Sequence, residues 1–390
     1  MRHSRIATGI TVATLTAVTL ITGPVVVAQP FNEGSRAVAT ATGPVVATIE
    51  VGASPTDSAL DADQGRLYVL EAVTPRVTVI STATNTVVDT IDVVEEAMYL
   101  TLDAARNQLF VTNGHPTLSA GSFSVVDLGT NTLTATTPLL GEPRKPVLDA
   151  DRGLLFIVQA GEGNSPGTLT TVDATTSTIL TSIGLGVSPG EPSLEAATGR
   201  LYIPMNSTVA IYDTESYRRV ANVKVGRFPA FVVLDPSHHR FFAIRLDGLV
   251  VVDTRTNRAT ASVRMDISID QGPPALDAAR QRLYLPTSPY RGRIVVMDAR
   301  TTRVKARITV GIVPDGPVLD AARRLLYVPE FDEGSGRTVY VVDTSTNRLV
   351  NAIAVGRGPE GPVLDAASGR VYVRNWVPGT VSVIDMQAVS

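Results

Sequence analysis

Short apolar runs alternate along this chain with residues that form turns. The runs at 67–69, 250–252 and 371–373 combine β-branched and aromatic residues and are bounded by Gly, Asn, Asp or Pro, a pattern typical of β-strands. No window after residue 28 keeps an apolar stripe at helical spacing. The pattern therefore predicts an all-β fold without a helix in the mature chain.

The strand pattern repeats along the chain. An apolar residue followed by an acid recurs at intervals of 40 to 46 residues, and its leucines, here called the marker leucines, are Leu60, Leu102, Leu148, Leu194, Leu234, Leu276, Leu319 and Leu364. Self-similarity at this period is typical of a β-propeller. Each repeat is long enough for four short strands, so the sequence predicts eight four-stranded blades.

Two turns in each repeat have a recognisable chemistry. The pattern D-A-x-x-G-R at 61–66 and 365–370 separates the first two strands, and D-T-x-T-N at 253–257 and 343–347 separates the last two. An Asp that opens a tight turn accepts bonds from the following amides, and Gly or Asn tolerates a positive φ. These acids are therefore predicted to be structural.

The two ends of the repeat region complement each other. Residues 45–52 match the fourth strand of a repeat, whereas the last repeat stops after its third strand. We expect the N-terminal strand to complete the last blade, because a closed ring leaves only short, protected sheet edges. The propeller domain is accordingly predicted to span residues 44–390.

The repeat resembles the YVTN family of β-propeller proteins, which includes exported bacterial propellers and archaeal surface-layer proteins. The family tetrapeptide survives as FVTN at 110–113 and, in near copy, as YVRN at 372–375. V-V-D-T-x-T-N and I-x-V-G match the family's other strands. The resemblance implies a propeller without a catalytic signature. Members often have seven blades, which makes seven the alternative to the eight counted here.

The N-terminus has the features of a secretory signal. Residues 1–28 combine Arg2 and Arg5, an apolar run and a small-residue cleavage site, and 29–43 are interpreted as a linker. Cleavage would leave no stable membrane span and would take the formal charge from −3 to −5. The chain lacks cysteine, which excludes disulfides and a thioether lipid anchor. Without basic clusters, no nucleic-acid partner is predicted.

Acids recur in the connections between repeats. Propeller geometry places these connections around one mouth of the central channel, and their acids are Asp57, Glu95, Glu96, Glu142, Glu191, Asp270, Asp315 and Glu360. One interpretation is that they bond loop amides or pair with Arg144, Lys145 or Arg357. The other is a ligand or cation site, since carboxylate oxygens suit a divalent cation such as Ca²⁺.

The loops that follow the second strands lie on the same face. They carry the lone Trp376, with Phe331 and Tyr290, and His115 as a candidate general base. The first hypothesis is a secreted, non-enzymatic module without cofactor that binds an extracellular protein, glycan or wall component. The alternative is a metal-dependent hydrolase or lyase whose channel carboxylates hold the ion. The sequence predicts no oligomeric state.

Overall fold

A computed structural model describes residues 44–114, 120–163, 165–267, 272–287 and 292–389. These residues form eight antiparallel sheets arranged in a ring, a β-propeller of eight four-stranded blades. The prediction of an all-β, eight-bladed propeller is confirmed, and the seven-bladed alternative is wrong. The predicted signal at 1–28 and linker at 29–43 lie outside the described residues.

The first strand in the chain belongs to the last blade, and the next seventeen strands form blades 1 to 4. In chain order their bounds are β1 (Val45–Glu50); β2 (Pro55–Asp61), β3 (Arg66–Glu71), β4 (Arg76–Ser81), β5 (Thr86–Asp92); β6 (Ala97–Asp103), β7 (Gln108–Gly114), β8 (Ala120–Asp127), β9 (Thr132–Leu140); β10 (Glu142–Pro143), β11 (Val147–Asp149), β12 (Leu154–Ala160), β13 (Pro166–Asp173), β14 (Thr178–Val187); β15 (Ser193–Glu195), β16 (Arg200–Pro204), β17 (Thr208–Asp213) and β18 (Arg219–Lys224). In blade 3 the inner strand is split into β10 and β11.

Blades 5 to 8 follow the same order from the channel outward. Their strands are β19 (Pro229–Asp235), β20 (Arg240–Arg245), β21 (Gly248–Asp253), β22 (Arg258–Arg264); β23 (Ala275–Asp277), β24 (Arg282–Thr287), β25 (Arg293–Asp298), β26 (Val304–Thr309); β27 (Val318–Asp320), β28 (Leu325–Pro329), β29 (Thr338–Asp343), β30 (Arg348–Ala354); β31 (Pro359–Leu364), β32 (Val371–Asn375) and β33 (Thr380–Ile384). Within the described ranges the helical elements are short 3₁₀ turns: Ala104–Arg106, Ala196–Thr198, Pro236–His238, Asp332–Gly334 and Met386–Val389.

Strand β1 closes the ring. It pairs antiparallel with β33, with Ile49 opposite Val381, and thereby becomes the outer strand of blade 8. Its apolar residues Ala47 and Ile49 are buried, as is Val51 just beyond it. The predicted closure by the N-terminal strand is confirmed, because the fourth strand of the last sheet comes from the other end of the repeat region.

The hydrophobic core lies between neighbouring blades. One cluster joins Leu70 and Val79 of blade 1 to Leu109 and Val111 of blade 2, and the seven other clusters are also shared between neighbouring sheets. Burial of these faces removes apolar surface from water and supplies the main stabilisation of the ring. The inner strands are thereby held as a fixed support for the channel.

The turn aspartates bond backbone amides, and several also connect blades. Asp320 Oδ1 accepts a bond from the Arg323 amide at 2.9 Å, and its Oδ2 accepts one from Arg323 Nη1 at 3.0 Å. The same guanidinium donates to the carbonyl of Ala366 in blade 8. Equivalent links from Arg106, Arg152 and Arg280 reach the next blade. The sequence pattern predicted the turn but not this connection between blades.

Candidate functional site

The inner strands are irregular where they face the channel. Blades 3, 4, 6, 7 and 8 have a proline two residues before the marker leucine, namely Pro146, Pro192, Pro274, Pro317 and Pro362. Proline lacks the N–H that a central ladder position needs. In four of these blades the continuous inner strand near the marker leucine is accordingly only three residues long, and in blade 8 the register shifts between Glu360 and Val363.

The other three blades reach the same result with a bulge. Their inner strands run for seven residues, and the register shifts at Thr56, Met98 and Ala230, each four residues before the marker leucine. A bulge bends the strand and redirects a side chain. In all eight blades, residues three or four before the marker leucine therefore line the channel.

These residues enclose a cavity of about 910 Å³, here called the mouth cavity. All eight blades contribute to it, and its charged and aromatic lining consists of Asp57, Tyr99, Arg144, Lys145, Glu191, Phe231, Asp315, Glu360 and Arg374. Four of the acids that the sequence singled out thus lie around one space. The predicted ligand-binding role of these acids stays a prediction.

The other candidate residues lie elsewhere. Glu142 is on the short strand β10, where its Oε1 pairs with Arg144 Nη1 at 3.1 Å. Glu96 and Trp376 line a second cavity of about 390 Å³, which shares Thr56, Tyr99 and Glu360 with the mouth cavity. His115, Asp270 and Tyr290 lie outside the described residues.

One side of the mouth cavity is a network of polar bonds centred on Asp57. Its two oxygens accept bonds from the amides of Ser58 and Leu100, each at 2.9 Å. Lys145, two blades away, donates to both oxygens at 2.8 and 2.7 Å. Charged donors and backbone amides both stabilise a carboxylate. Because its donors come from three blades, Asp57 connects blades 1, 2 and 3 at the channel.

Arg374 extends this network through blade 8. Its side chain donates to Ser58 Oγ at 2.7 Å and to the Gly361 carbonyl at 3.2 Å, and its Nη2 lies 3.7 Å from Glu360 Oε1. The amide of Gly361 in turn donates to Asp315 Oδ2 at 3.0 Å. Polar contacts therefore run without interruption from blade 7 to blade 3.

Sequence analysis missed Arg374 as a site residue, although a signal was present. The residue occupies the third position of YVRN, where the other copies have Leu70, Thr112, Val158, Pro204, Ile244, Pro286 and Pro329. Arg374 is only 7 % exposed. A charged residue at a position that is otherwise apolar or hydroxylic is buried only when its charge is matched, so the departure itself indicated an acidic neighbourhood.

The opposite side of the mouth cavity is apolar. Blades 5 and 6 contribute Ala230, Phe231, Gly272 and Pro273. On the same connection Phe228 is 53 % exposed and has a positive φ of 49°, a conformation that is strained for a bulky residue. The mouth cavity is thus amphipathic, with charged groups on one side and an aromatic ring on the other.

Three carboxyl groups of the mouth cavity are harder to ionise than usual. Burial raises the pKa of Glu360 to about 7, against the lowering effect of Arg374. Burial also raises the pKa of Asp315 to about 6, although the Gly361 and Gly316 amides oppose the change. The pKa of Glu191 is raised by burial and by the charge of Asp57, while Lys145 and Arg144 lower it. Asp315 and Glu360 therefore take up protons closer to neutral pH than ordinary carboxyl groups do.

Two further observations concern metals and membranes. In the described part of the chain, no three His, Asp or Glu side chains converge in a way that could hold a metal ion. The divalent cation, such as Ca²⁺, stays a prediction. The described residues also contain no helix that is long and apolar enough to cross a bilayer.

Comparison with known proteins shows similarity of fold. The sequence matches no protein-family model and no curated protein. The chain is similar to Sqt1 of Saccharomyces cerevisiae, with 8 % identity, a TM-score of 0.72 and coverage of 89 % of this chain and 100 % of Sqt1.

Two other solved structures are comparably similar. The computationally designed protein Ika8 shares 12 % identity, with a TM-score of 0.67 and coverage of 87 % of this chain and 99 % of Ika8. The dihydro-heme d1 dehydrogenase NirN, in complex with DHE, shares 13 % identity, with a TM-score of 0.68 and coverage of 88 % and 76 %. At these identities the similarity shows the fold alone: the chain is a β-propeller.

Proposed function

We propose that this protein is an exported, non-enzymatic binding module of the YVTN type, which binds an extracellular protein, glycan or wall component at its mouth face. The observation that carries the proposal is the mouth cavity of about 910 Å³, lined by charged side chains from five blades. A concave site with a few polar groups on a rigid support is the usual form of a ligand site.

The charged groups of the mouth cavity are held in place by hydrogen bonds, which favours binding over a chemical step. Asp57 is bonded to two amides and Lys145, and Arg374 is bonded to Ser58 and Gly361. Groups that are fixed in this way present donors and acceptors at constant positions, which lowers the entropy lost on binding. The second cavity, with Trp376, extends the face available to a large ligand.

The proposal is tested with the purified protein on a glycan microarray, with insoluble cell-wall fractions, and with surface-exposed proteins of the source organism. The parent chain should bind one of these ligand classes. The variants Phe231→Ala and Trp376→Ala should weaken that binding at least tenfold. Arg300→Ala, an exposed turn residue between β25 and β26, is the matched control and should bind normally. A parent chain that binds none of these ligands would refute the proposal.

Export is the second part of the proposal and rests on residues 1–28 alone. Expression of the full chain in a secreting host should yield extracellular protein whose mature N-terminus lies near Gln29. Intact mass measurement of the secreted and cellular fractions checks this expectation. Soluble intracellular protein that still begins at Met1 would contradict it.

The raised pKa values of Asp315 and Glu360 favour a second candidate, a metal-dependent hydrolase or lyase. Carboxyl groups with perturbed pKa values in a cleft are more frequent at catalytic sites than elsewhere. Elemental analysis of the purified protein and melting curves with Ca²⁺, Mg²⁺, Mn²⁺ and Zn²⁺ test this candidate. Stoichiometric metal, or a melting temperature that rises with one ion, would support it over the binding module.

A further inference from the structure

Two carboxyl groups of the mouth cavity, Glu191 and Asp315, have no ion pair among the described residues. Asp315 accepts a hydrogen bond from the Gly361 amide. Asp57 pairs with Lys145 and Glu360 with Arg374, while Arg144 pairs with Glu142 outside the cavity. No hydrogen bond or ion pair from the described residues reaches the carboxylate of Glu191. The two cations whose charges lower the pKa of Glu191, Lys145 and Arg144, are already paired with other acids.

The surroundings of Glu191 combine free space with an aromatic surface. Its neighbours are Gly190 along the chain, Ala230 in the next blade, and Arg144 and Lys145 in the preceding blade. Gly190 and Ala230 have small side chains or none, so the space lies on the side of the next blade. Phe231 occupies the equivalent position in the next blade, three residues before its marker leucine, and lines the same cavity. The apolar side of the mouth cavity therefore begins immediately beside the unmatched carboxylate.

We propose that Glu191 and Phe231 form a subsite for an organic cation, a primary ammonium group attached to an apolar carbon chain. The ammonium group pairs with Glu191, and the carbon chain lies against Phe231, Ala230 and Pro273. The subsite defines the class of ligand that binds in the mouth cavity. It rests on the proposed function only in that both use this cavity.

The chemistry of the subsite favours an ammonium ion over a metal ion. Ca²⁺ takes six to eight oxygen ligands, whereas Glu191 supplies two, and the side chains beside it in the cavity, those of Arg144, Lys145, Ala230 and Phe231, contain no oxygen. An ammonium group needs one carboxylate, and the carbon chain attached to it gains further from contact with the apolar surface of Phe231. Pairing also removes the cost of a half-buried carboxylate that lacks a counter-ion.

The test compares two probes of the same shape, n-hexylamine and hexan-1-ol, titrated into the full mature protein at pH 8 and followed by NMR and calorimetry. The amine should bind at least tenfold more tightly than the alcohol. This comparison needs no variant, so it holds even if a substituted chain fails to fold.

Variants then locate the binding. Glu191→Gln should reduce the affinity for hexylamine at least tenfold and leave that for hexanol unchanged, whereas Phe231→Ala should weaken both. Glu162→Gln, an exposed loop acid, is the matched control and should bind both probes normally. A Lys-containing peptide amide with acetylated N-terminus distinguishes a protein side chain from a free amine as the source of the ammonium group.

Three results would overturn the subsite: equal affinity for amine and alcohol, unchanged amine binding in Glu191→Gln, or Ca²⁺ binding that Glu191→Gln abolishes. The failures of the two proposals are distinguishable. If a glycan or wall component binds and hexylamine does not, the subsite is wrong and the binding module stands. If hexylamine binds at Glu191 and every macromolecular ligand fails, the reverse holds.

Discussion

Asp320 and Asp365 occupy the same turn position in successive blades, yet they bond different groups. Asp320 holds the Arg323 amide and the Arg323 guanidinium, which reaches blade 8. Asp365 bonds the Ala367 amide at 3.0 Å and Ser368 Oγ at 2.6 Å, both within its own turn. Asp320 is also almost completely buried, whereas Asp365 is only partly so. The same sequence pattern therefore contributes different amounts to the stability of different blades.

We expect Asp365→Ala to lower the free energy of unfolding by about 1 kcal/mol and Asp320→Ala by about 2 kcal/mol, because the latter loses a charge-assisted bond and an attachment between blades. Urea unfolding of the two variants beside the parent chain measures the difference. Binding at the mouth face should be unchanged in both. Equal costs, or a larger cost for Asp365→Ala, would show that the arginine link adds no stability.

At the scale of elements, the blades depend on strands that are distant in the chain. β1 is the outer strand of blade 8, although some 330 residues separate it from β33. Three further bonds secure this end of the chain: the Val51 amide donates to Gly379, the Asp385 amide to Pro44, and the Thr78 hydroxyl to Val51. The last of these connects the closing strand to blade 1.

A chain that begins at residue 52 should therefore melt well below a chain that begins at residue 44. The shorter chain exposes the edge of β33 and the apolar surface that Ala47, Ile49 and Val51 cover, which also favours association between molecules. Differential scanning calorimetry and light scattering compare the two. The same melting temperature for both would mean that β1 is dispensable for closure.

At the scale of the whole molecule, the mouth cavity couples stability to pH. The pKa of Glu360 rises from an ordinary 4.5 to about 7 because the group is buried. A carboxyl whose pKa is raised on folding stabilises the folded state below its unfolded pKa, and this contribution is lost as pH rises through the folded pKa. The window therefore runs from about pH 4.5 to pH 7, and Asp315 acts in the same direction.

Glu360→Gln should remove part of this dependence. Between pH 5 and pH 8 the free energy of unfolding of the variant, relative to that of the parent, should rise by on the order of 1–2 kcal/mol, because Gln never ionises. The figure is modest because the side chain of Glu360 keeps some exposure to screening solvent. Melting curves at five pH values measure the trend. Glu162→Gln is the control and should track the parent. A difference between Glu360→Gln and parent that does not change with pH would contradict the assignment.

Local patterns determined the architecture. Strand periodicity, the marker leucines and the turn aspartates each depend on residues that are close together in the sequence. The sequence alone therefore shows eight copies of the repeat. The match of residues 45–52 to a fourth strand indicated ring closure for the same reason. The connection acids were also found by equivalence, because a repeat places equivalent residues at equivalent places.

Only the tertiary structure decided which of those acids share one space and which charges they meet. Asp57 meets Lys145 from two blades away, and Arg374 comes from a second strand, so sequence spacing contains neither contact. The connection at 227–231 carries no acid, yet its Phe231 supplies the aromatic side of the cavity. The reason is geometric: short-range pairing sets strands and turns, whereas the channel brings together eight segments whose order around the ring exists only once the ring has closed.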